Sequence, residues 1–138
     1  MKFRTVLAVF VALTVLLGLS IVVATSKESA GGNSQYTWED YDQIAREYLL
    51  NSATFQFDGQ EDSIELSIVM TPSDSDESIF TLTYTFQTGH AGHGDRSGEI
   101  ILPVITDHRI DITVDNGQVT GAVCCGVWDE MAGEYLDS

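Results

Sequence analysis

The chain has 138 residues and two cysteines, and its 21 acidic against 6 basic side chains give a formal net charge of −15. This length fits one small folded domain and excludes two domains of ordinary size. So acidic a surface repels phosphate backbones, which argues against nucleic-acid binding. Two cysteines exclude both a disulfide framework and a four-thiolate zinc site. No residue pattern indicates a particular reaction.

The N-terminus carries the pattern of an export signal. Residues 6–24 hold no charge, and a helix of this length spans about 28 Å, close to the thickness of the membrane hydrocarbon. Lys2 and Arg4 precede this run and favour a cytoplasmic N-terminus, with the rest of the chain outside. We therefore predict a single-pass membrane protein, or a secreted one if the N-terminus is cleaved. The predicted segments are a transmembrane anchor or signal peptide at 1–24, a flexible linker at 25–35 and an extracytoplasmic α+β domain at 36–138.

An amphipathic helix is predicted at the start of this domain. Thr37 and Asp40 have the spacing of a capping box, in which each side chain accepts a hydrogen bond from the backbone of the other residue. Apolar residues then recur at three- and four-residue steps as far as Leu49, which predicts one buried stripe. Asn51-Ser52 is expected to end the helix.

Beyond this helix the apolar period changes to two, which predicts half-buried antiparallel strands. The alternating segments are 54–57, 63–70, 80–87 and 109–114. We therefore predict an α+β fold in which one N-terminal amphipathic helix packs on a four- to six-stranded antiparallel sheet. Cystatin-like and PepSY-like rolls share this order of elements, an analogy of architecture that carries no function.

Asn116-Gly117 is the strongest hairpin signal, because both residues tolerate the positive φ of a type I′ turn. The strand register that follows from a two-residue loop predicts that Cys125 points inward and Cys124 outward. Since adjacent strand residues point to opposite faces, the two cysteines are not expected to bind one ion together. A two-residue loop gives the cross-strand pairs Val114–Val119, Ile112–Gly121, Ile110–Val123 and His108–Cys125.

Two groups of residues are candidate metal ligands. In the glycine-rich loop 90–98, His90, His93 and Asp95 supply imidazole and carboxylate groups, which suit zinc or copper. The predicted pair of His108 and Cys125 would form a thiolate–imidazolium pair or half of a metal site. A divalent metal is therefore the cofactor that the sequence allows, although it requires none. The alternatives are a structural loop and a buried histidine beside a small apolar thiol.

Three functional hypotheses follow. The first is a membrane-anchored or secreted non-catalytic domain that binds a protein or peptide. The second is an exported metal-binding domain that uses His90 and His108, with His93 or Cys125 as a further ligand. The third and weakest is a hydrolase, because paired carboxylates such as Asp129-Glu130 act in acid–base catalysis only where a cleft holds them at a defined separation.

The loop His90-Ala91-Gly92-His93-Gly94-Asp95-Arg96-Ser97-Gly98 is the most distinctive motif of the chain. With this HAG-x-GDR-x-G loop, roughly residues 40–131 resemble an uncharacterised family of small exported archaeal and bacterial proteins. The resemblance implies export and a compact domain, and it implies no activity. It also implies tyrosine more often than histidine at the position of His93, which speaks against a ligand role for that residue.

Overall fold

The computed structural model describes residues 35–70 and 78–137. The predicted anchor or signal peptide, and all but one residue of the predicted linker, lie outside these ranges. Within them, no helix combines the length and the apolar character that are needed to cross a membrane.

The first helix of the described residues, α1 (Trp38–Asn51), begins with the predicted capping box. The backbone N–H of Thr37 donates to the Asp40 carboxylate at 2.7 Å, and the Asp40 N–H donates to the Thr37 hydroxyl at 3.4 Å. The first bond gives the Thr37 N–H a partner, and the second shares the Asp40 N–H with the Thr37 carbonyl, which also accepts it at 3.1 Å. The predicted apolar stripe is confirmed, and its buried members are Tyr41, Ala45 and Leu49.

The segment 54–57, which the alternation predicts as a strand, is instead part of a short helix, α2 (Ala53–Asp58). The Gln56 N–H donates to the Ser52 carbonyl at 2.9 Å, as in a helical turn. Thr54 and Phe55 are adjacent and both buried, whereas the half-buried strand that the alternation predicts would bury only one of them. The prediction is wrong because a four-residue alternation is too short to distinguish a strand from a helix.

A six-stranded antiparallel sheet follows, and its strands pair in chain order. This helix-on-sheet arrangement confirms the predicted α+β class. The strands are β1 (Gly59–Met70), β2 (Ile79–His90), β3 (Pro103–Asp115), β4 (Gln118–Cys124), β5 (Trp128–Asp129) and β6 (Glu134–Tyr135).

The hydrophobic core lies between α1 and one face of the sheet. On β2, Leu82 and Tyr84 are buried, and so are their partners Ile112 and Ile110 on β3. Burial of each aliphatic side chain of this kind contributes about 1.5–3 kcal/mol. One pair further along, Phe86 lies opposite His108, so a polar group enters the core at this end of the sheet.

A β-bulge sets the register between β3 and β4. Val114 lies opposite Val119, as the two-residue hairpin loop predicts. The next pair, however, is Thr113 with Gly121, so Thr120 is an extra residue on β4. The hairpin prediction is therefore confirmed at the turn and is wrong beyond the bulge.

The bulge puts Cys124 on the inner face of the strand, where the prediction places Cys125. Ile110 pairs with Cys124, and not with Val123 as the uninterrupted register predicts. One extra residue moves every following side chain of a strand to the other face. Cys124 is consequently buried in the core and Cys125 is exposed, the reverse of the prediction.

Candidate metal centre

The two adjacent cysteines point the same way. Cys124 ends β4 with its side chain fully buried, and Cys125 leaves the strand with a φ of 55°. Gly126 continues the turn at a φ of 70°, a conformation that suits glycine. This turn brings the two sulfur atoms within 3.8 Å of each other. The prediction that the two side chains point to opposite faces is wrong, because it assumes that both residues belong to a strand.

His108 faces both cysteines. Its side chain is 3% exposed, and its Nδ1 lies 3.8 Å from the sulfur of Cys124 and 3.8 Å from that of Cys125. The Cys125 N–H donates to the Arg109 carbonyl at 2.7 Å, which ties the turn to β3 beside this histidine. Two ligands predicted by sequence, His108 and Cys125, thus lie together, and Cys124 joins them.

The hydrogen bonds of Thr88 determine which nitrogen of His108 carries the proton. The Thr88 hydroxyl lies 2.7 Å from the carbonyl of His90, to which it can only donate. It also lies 2.9 Å from Nε2 of His108. Because its single proton is already used, the hydroxyl oxygen accepts, and Nε2 carries the donor N–H. The lone pair of Nδ1 is therefore directed at the two sulfurs, as a metal ligand requires.

His93 completes a group of four. One nitrogen or sulfur atom from each of His93, His108, Cys124 and Cys125 lies within 4.8 Å of the others. Both ring nitrogens of His93 are buried, and neither has a hydrogen-bond partner among the described residues. The ring stacks on Trp128 with centroids 6.0 Å apart and meets the His108 ring edge-on at 5.4 Å. The imidazole ring is thus packed between aromatic rings and makes no hydrogen bond with the described residues.

Two glycines place His93 over the sheet. Gly92 and Gly94 have φ values of 99° and 70°, so the chain folds back on either side of the histidine. The Gly94 N–H donates to the Thr54 hydroxyl at 2.7 Å. A Cβ at Gly94 would lie 2.7 Å from the Trp128 ring, so only glycine fits there. The predicted tight loop therefore exists, and it presents one of its two histidines to the interior.

A buried ion pair holds the base of this loop. Arg96 is 3% exposed, and its Nη2 donates to the Asp58 carboxylate at 2.8 Å while its Nη1 donates to the Gly92 carbonyl. The guanidinium also lies 4.5 Å from the centre of the Phe57 ring. These contacts join α2 to the loop that carries His93.

His90 and Asp95, two further predicted ligands, lie outside the group of four. The Nδ1 of His90 lies 2.7 Å from the Asp58 carboxylate, so this ring turns toward α2. The exposed Asp95 carboxylate accepts the Ser97 N–H at 2.9 Å and serves its own turn. Neighbours in the loop point in different directions because the glycines reverse the backbone between them.

Burial decides the protonation of the group. It lowers the pKa of His108 to about 4, and His93 when it is protonated and the Arg96 guanidinium act in the same direction. Burial also lowers the pKa of His93 and raises the pKa of the Cys124 thiol. At neutral pH both imidazoles are therefore uncharged, the state that a metal ligand needs, whereas Cys124 would have to lose its proton to bind a metal.

The two acidic residues after Trp128 have separate surroundings. Asp129 accepts the N–H groups of Met131 and Ala132 at 2.9 and 3.0 Å. Glu130 is buried, and its Oε1 has no hydrogen-bond partner among the described residues. One carboxylate thus closes a surface turn and the other lies in the interior.

An open groove of about 630 Å³ has two residues of the group of four, His108 and Cys125, in its lining. It forms where β1 separates from β2: the pairing is irregular between Gln60 and Glu65, and the Ser63 hydroxyl accepts the Gln87 N–H at 2.8 Å in place of a backbone carbonyl. The groove is lined by Ser63, Glu65, Thr85, Phe86, Gln87, Asp107, His108, Arg109 and Cys125.

Comparison of the chain with protein-family models, curated proteins and solved structures returned no match. The resemblance drawn from the glycine-rich loop therefore stays a prediction, and the function has to be argued from the geometry. Cys124 is the residue of the group that sequence reasoning missed. Its signal was the Cys-Cys-Gly run itself, since a glycine after two cysteines permits a turn in place of a strand.

Proposed function

We propose that this protein is an exported domain that binds one zinc ion through Cys124, Cys125, His108 and His93. The observation that carries the proposal is the spacing of three of these side chains, which matches the coordination shell of zinc. Two thiolates and two imidazoles are also a ligand set of structural zinc sites.

The spacing can be compared with an ideal tetrahedron. With Zn–S near 2.3 Å and Zn–N near 2.0–2.1 Å, a tetrahedral ion separates two sulfurs by about 3.8 Å and a sulfur from a nitrogen by about 3.6 Å. The sulfurs of Cys124 and Cys125 are 3.8 Å apart, and each lies 3.8 Å from Nδ1 of His108. Three corners of the tetrahedron therefore exist before any ion enters, and a His93 ring nitrogen, which lies within 4.8 Å of the other three atoms, would close the fourth by moving nearer.

The unpartnered imidazole of His93 supports the same function. A buried polar group without a hydrogen bond costs about 1–3 kcal/mol, so native proteins rarely keep one. Bonding of one His93 nitrogen to a zinc ion would remove this cost for that atom. Glu130, whose negative charge acts on His93, also has an unpartnered carboxylate oxygen in the interior. A metal-bound histidine commonly donates its other N–H to such a carboxylate.

Export is the second part of the proposal. The uncharged run at residues 6–24 after Lys2 and Arg4 supports a membrane anchor or signal peptide, with the folded domain outside the cell. Outside the cytoplasm thiols are readily oxidised. Zinc binding would keep Cys124 and Cys125 as thiolates in that setting, because zinc itself has no redox chemistry.

The test is zinc stoichiometry of the full-length protein, purified in detergent under reducing, metal-free conditions. We expect one equivalent of zinc in competition with a chromophoric chelator, and thiolate-to-metal absorption when cobalt(II) replaces zinc. Replacement of a residue that only hydrogen-bonds to a metal ligand typically weakens metal binding by roughly 10–100-fold. Cys124→Ser and His108→Gln each remove a proposed ligand and should therefore weaken zinc binding by more than this. Asp95→Asn is the matched control and should leave the affinity unchanged. Preference for copper(I) over zinc, or full binding by Cys124→Ser, would contradict the proposal.

A second candidate function is the binding of a protein or peptide. It is favoured by the apolar segment 100–105, which leads into β3 and in which Ile100, Leu102, Val104 and Ile105 are each more than half exposed. Exposed apolar surface of this size marks interaction sites in soluble domains when it is contiguous. The test is cross-linking in native membranes: Leu102→Ser should abolish a stoichiometric adduct that Asp95→Asn retains, and absence of any adduct in the parent would contradict this function.

A further inference from the structure

Cys125 has a backbone conformation that cysteine rarely adopts. Its φ of 55° lies in the left-handed region, which favours glycine and asparagine. The Val127 N–H donates to the Cys124 carbonyl at 3.1 Å, so Cys125 and Gly126 are the central residues of a tight turn. In the turn between β3 and β4, Asn116-Gly117 also has positive φ at both residues, and there asparagine suits the conformation. An unfavourable backbone conformation of this kind points to a functional role for the residue that adopts it.

The turn brings together the sulfur atoms of two neighbouring residues. In a strand, the side chains of neighbours point to opposite faces, which keeps their ends apart. Here the sulfurs of Cys124 and Cys125 lie 3.8 Å from each other. A disulfide bond needs about 2.05 Å, so the two atoms have to approach by about 1.8 Å to form one. The sequence contains no third cysteine, so within one chain each of the two can pair only with the other.

The two thiols differ in their access to dissolved reagents. Cys125 is exposed, whereas Cys124 is 0% exposed. A reagent can therefore reach the sulfur of Cys125 first, and Cys124 can react only with a sulfur that lies beside it in the fold. Thiol–disulfide exchange follows this order: an accessible thiolate attacks, and a second thiol then resolves the mixed disulfide.

We infer that Cys125 and Cys124 form a site of thiol–disulfide exchange for disulfides of low molecular weight, and that the exchange ends in a disulfide between these two adjacent cysteines. Disulfides of this class persist outside the cytoplasm, where the proposed export places the domain. The zinc-bound and the oxidised form exclude each other, because both use the same two sulfurs. This second part rests on the proposed zinc site and makes oxidation the event that empties it.

The exchange consists of two balanced steps. In the first, the Cys125 thiolate attacks one sulfur of the small disulfide, whose S–S bond breaks, and one half leaves as a thiolate that takes up the proton lost by Cys125. In the second, the Cys124 sulfur attacks the Cys125 sulfur, and the other half of the reagent leaves with the proton of Cys124. The protein loses two electrons and two protons, and the reagent gains them as it becomes two thiols.

The bond between the two cysteines is expected to be reversible. The Cα atoms of adjacent residues are about 3.8 Å apart across a trans peptide, closer than the range of about 4.4–6.8 Å in ordinary disulfides. Strained disulfides are easily reduced, and they are typical of labile and regulatory bonds. Treatment with dithiothreitol should therefore reopen the bond and restore zinc binding.

The experiment treats the metal-free full-length protein in detergent with bis(2-hydroxyethyl) disulfide. This reagent is uncharged, so the net charge of −15 does not repel it. In the folded protein, we expect the intact mass to fall by the mass of two hydrogen atoms. Iodoacetamide added after denaturation should then find no free thiol. In urea, where the turn is absent, the same reagent should instead leave a mixed disulfide on both cysteines.

Two matched variants separate the roles of the thiols. Cys124→Ser keeps the accessible thiol and should stop at one mixed disulfide, because the resolving sulfur is gone. Cys125→Ser keeps the buried thiol and should not react while it is folded. The comparison of the folded parent with the parent in urea decides the inference even if one variant fails to fold.

The outcomes separate this inference from the proposed function. A mixed disulfide that persists at Cys125 of the folded parent, a disulfide-linked dimer, or equal ring closure in urea would overturn the exchange site. Ring closure in a protein that binds no zinc would support the exchange site and refute the zinc site. In a protein that does bind zinc, we expect the loaded form to resist the reagent. The oxidised form should bind zinc only after reduction, and zinc binding by the oxidised form at the affinity of the parent would overturn the coupling.

Discussion

The Thr88 hydroxyl accepts the Nε2–H of His108, and this contact of 2.9 Å turns the lone pair of Nδ1 toward two cysteine sulfurs. The same hydroxyl gives its own proton to the His90 carbonyl. Thr88 thus sets the tautomer of His108, a proposed zinc ligand, without being a ligand itself. Outer partners of this kind tune metal affinity without touching the ion.

Thr88→Val tests that relationship. The variant keeps the shape of the side chain and removes the acceptor, so Nε2–H loses its partner and His108 is free to change tautomer. We expect zinc affinity to fall by about 10–100-fold. Thr88→Ser keeps the hydroxyl and should restore most of the affinity, which a purely steric role of Thr88 would not predict. Competition with a chelator measures all three proteins, and equal affinity of Thr88→Val and the parent would refute the role.

Gly94 and Gly98 offer a matched pair of glycine-to-alanine substitutions. Both residues have a positive φ, of 70° and 85°, so alanine costs about 1 kcal/mol of backbone strain at each. Only at Gly94 would the new Cβ also strike the Trp128 ring, whereas nothing lies within 4 Å at Gly98. Gly94→Ala should therefore lower the free energy of unfolding further than Gly98→Ala and weaken zinc binding through His93. Equal loss in urea denaturation would show that the Trp128 contact is unimportant.

Asp58→Asn tests the ion pair that holds the base of the loop. The variant leaves the buried guanidinium of Arg96 without a charged partner, and broken pairs of this kind cost about 3–5 kcal/mol when fully buried. Because the Asp58 side chain is 17% exposed, we expect a smaller loss of about 2 kcal/mol in the free energy of unfolding. Glu47→Gln, an equivalent change on the exposed face of α1, should be neutral. Similar urea midpoints for the two variants would contradict the assignment.

The metal-free protein should lose stability in mild acid. Burial lowers the pKa of His108 to about 4 from an ordinary value of 6.5, so between these values the unfolded chain binds a proton that the folded chain does not. The free energy of unfolding therefore stays high above pH 6.5 and falls as the pH drops toward 4, by at most about 3 kcal/mol. Urea titrations of the parent and of His108→Phe measure the effect. The variant should show a flatter pH dependence over this range, and equal slopes would contradict the assignment.

The two cysteines should differ in reactivity when no metal is bound. Cys125 is exposed, whereas Cys124 is buried and burial raises the pKa of its thiol, so it forms little thiolate. Intact mass after treatment with iodoacetamide should show one adduct in the folded, metal-free protein and none in Cys125→Ser. Zinc should slow the reaction of the parent. Two rapid adducts, or reaction at Cys124 alone, would contradict the burial of Cys124 and the exposure of Cys125.

Local signals in the sequence predicted the helix and the hairpin turn well. The capping box of Thr37 and Asp40 and the pair Asn116-Gly117 depend on neighbouring residues only, and both are found in the structure. The segment 54–57 was predicted wrongly because its burial is decided by tertiary contacts, such as the Gly94 N–H bonded to the Thr54 hydroxyl. The pattern of neighbouring residues cannot predict a hydrogen bond to a residue forty positions away in the chain.

Of the candidate ligands, His93, His108 and Cys125 come together, and His90 and Asp95 turn elsewhere. Spacing within the loop did not distinguish His93 from His90, because the direction of each ring depends on backbone reversals at Gly92 and Gly94. Cys124 was not predicted as a ligand, because a hairpin register without a bulge places its side chain on the outer face. The residue types of the site were thus visible in the sequence, while their convergence was not.

The extra residue Thr120 has a consequence for how such a site arises and disappears. It lies on the exposed surface of β4, four residues before Cys124, and contributes no atom to the proposed zinc shell. Deletion of this one residue would keep all four ligands in the chain and rotate Cys124 out of the core, abolishing the site. If the proposed zinc site is correct, zinc binding in this fold is encoded in the length of a strand as much as in the identity of its ligands. Two chains with the same histidines and cysteines can differ in metal binding through one codon at a position that a search for ligand motifs would ignore.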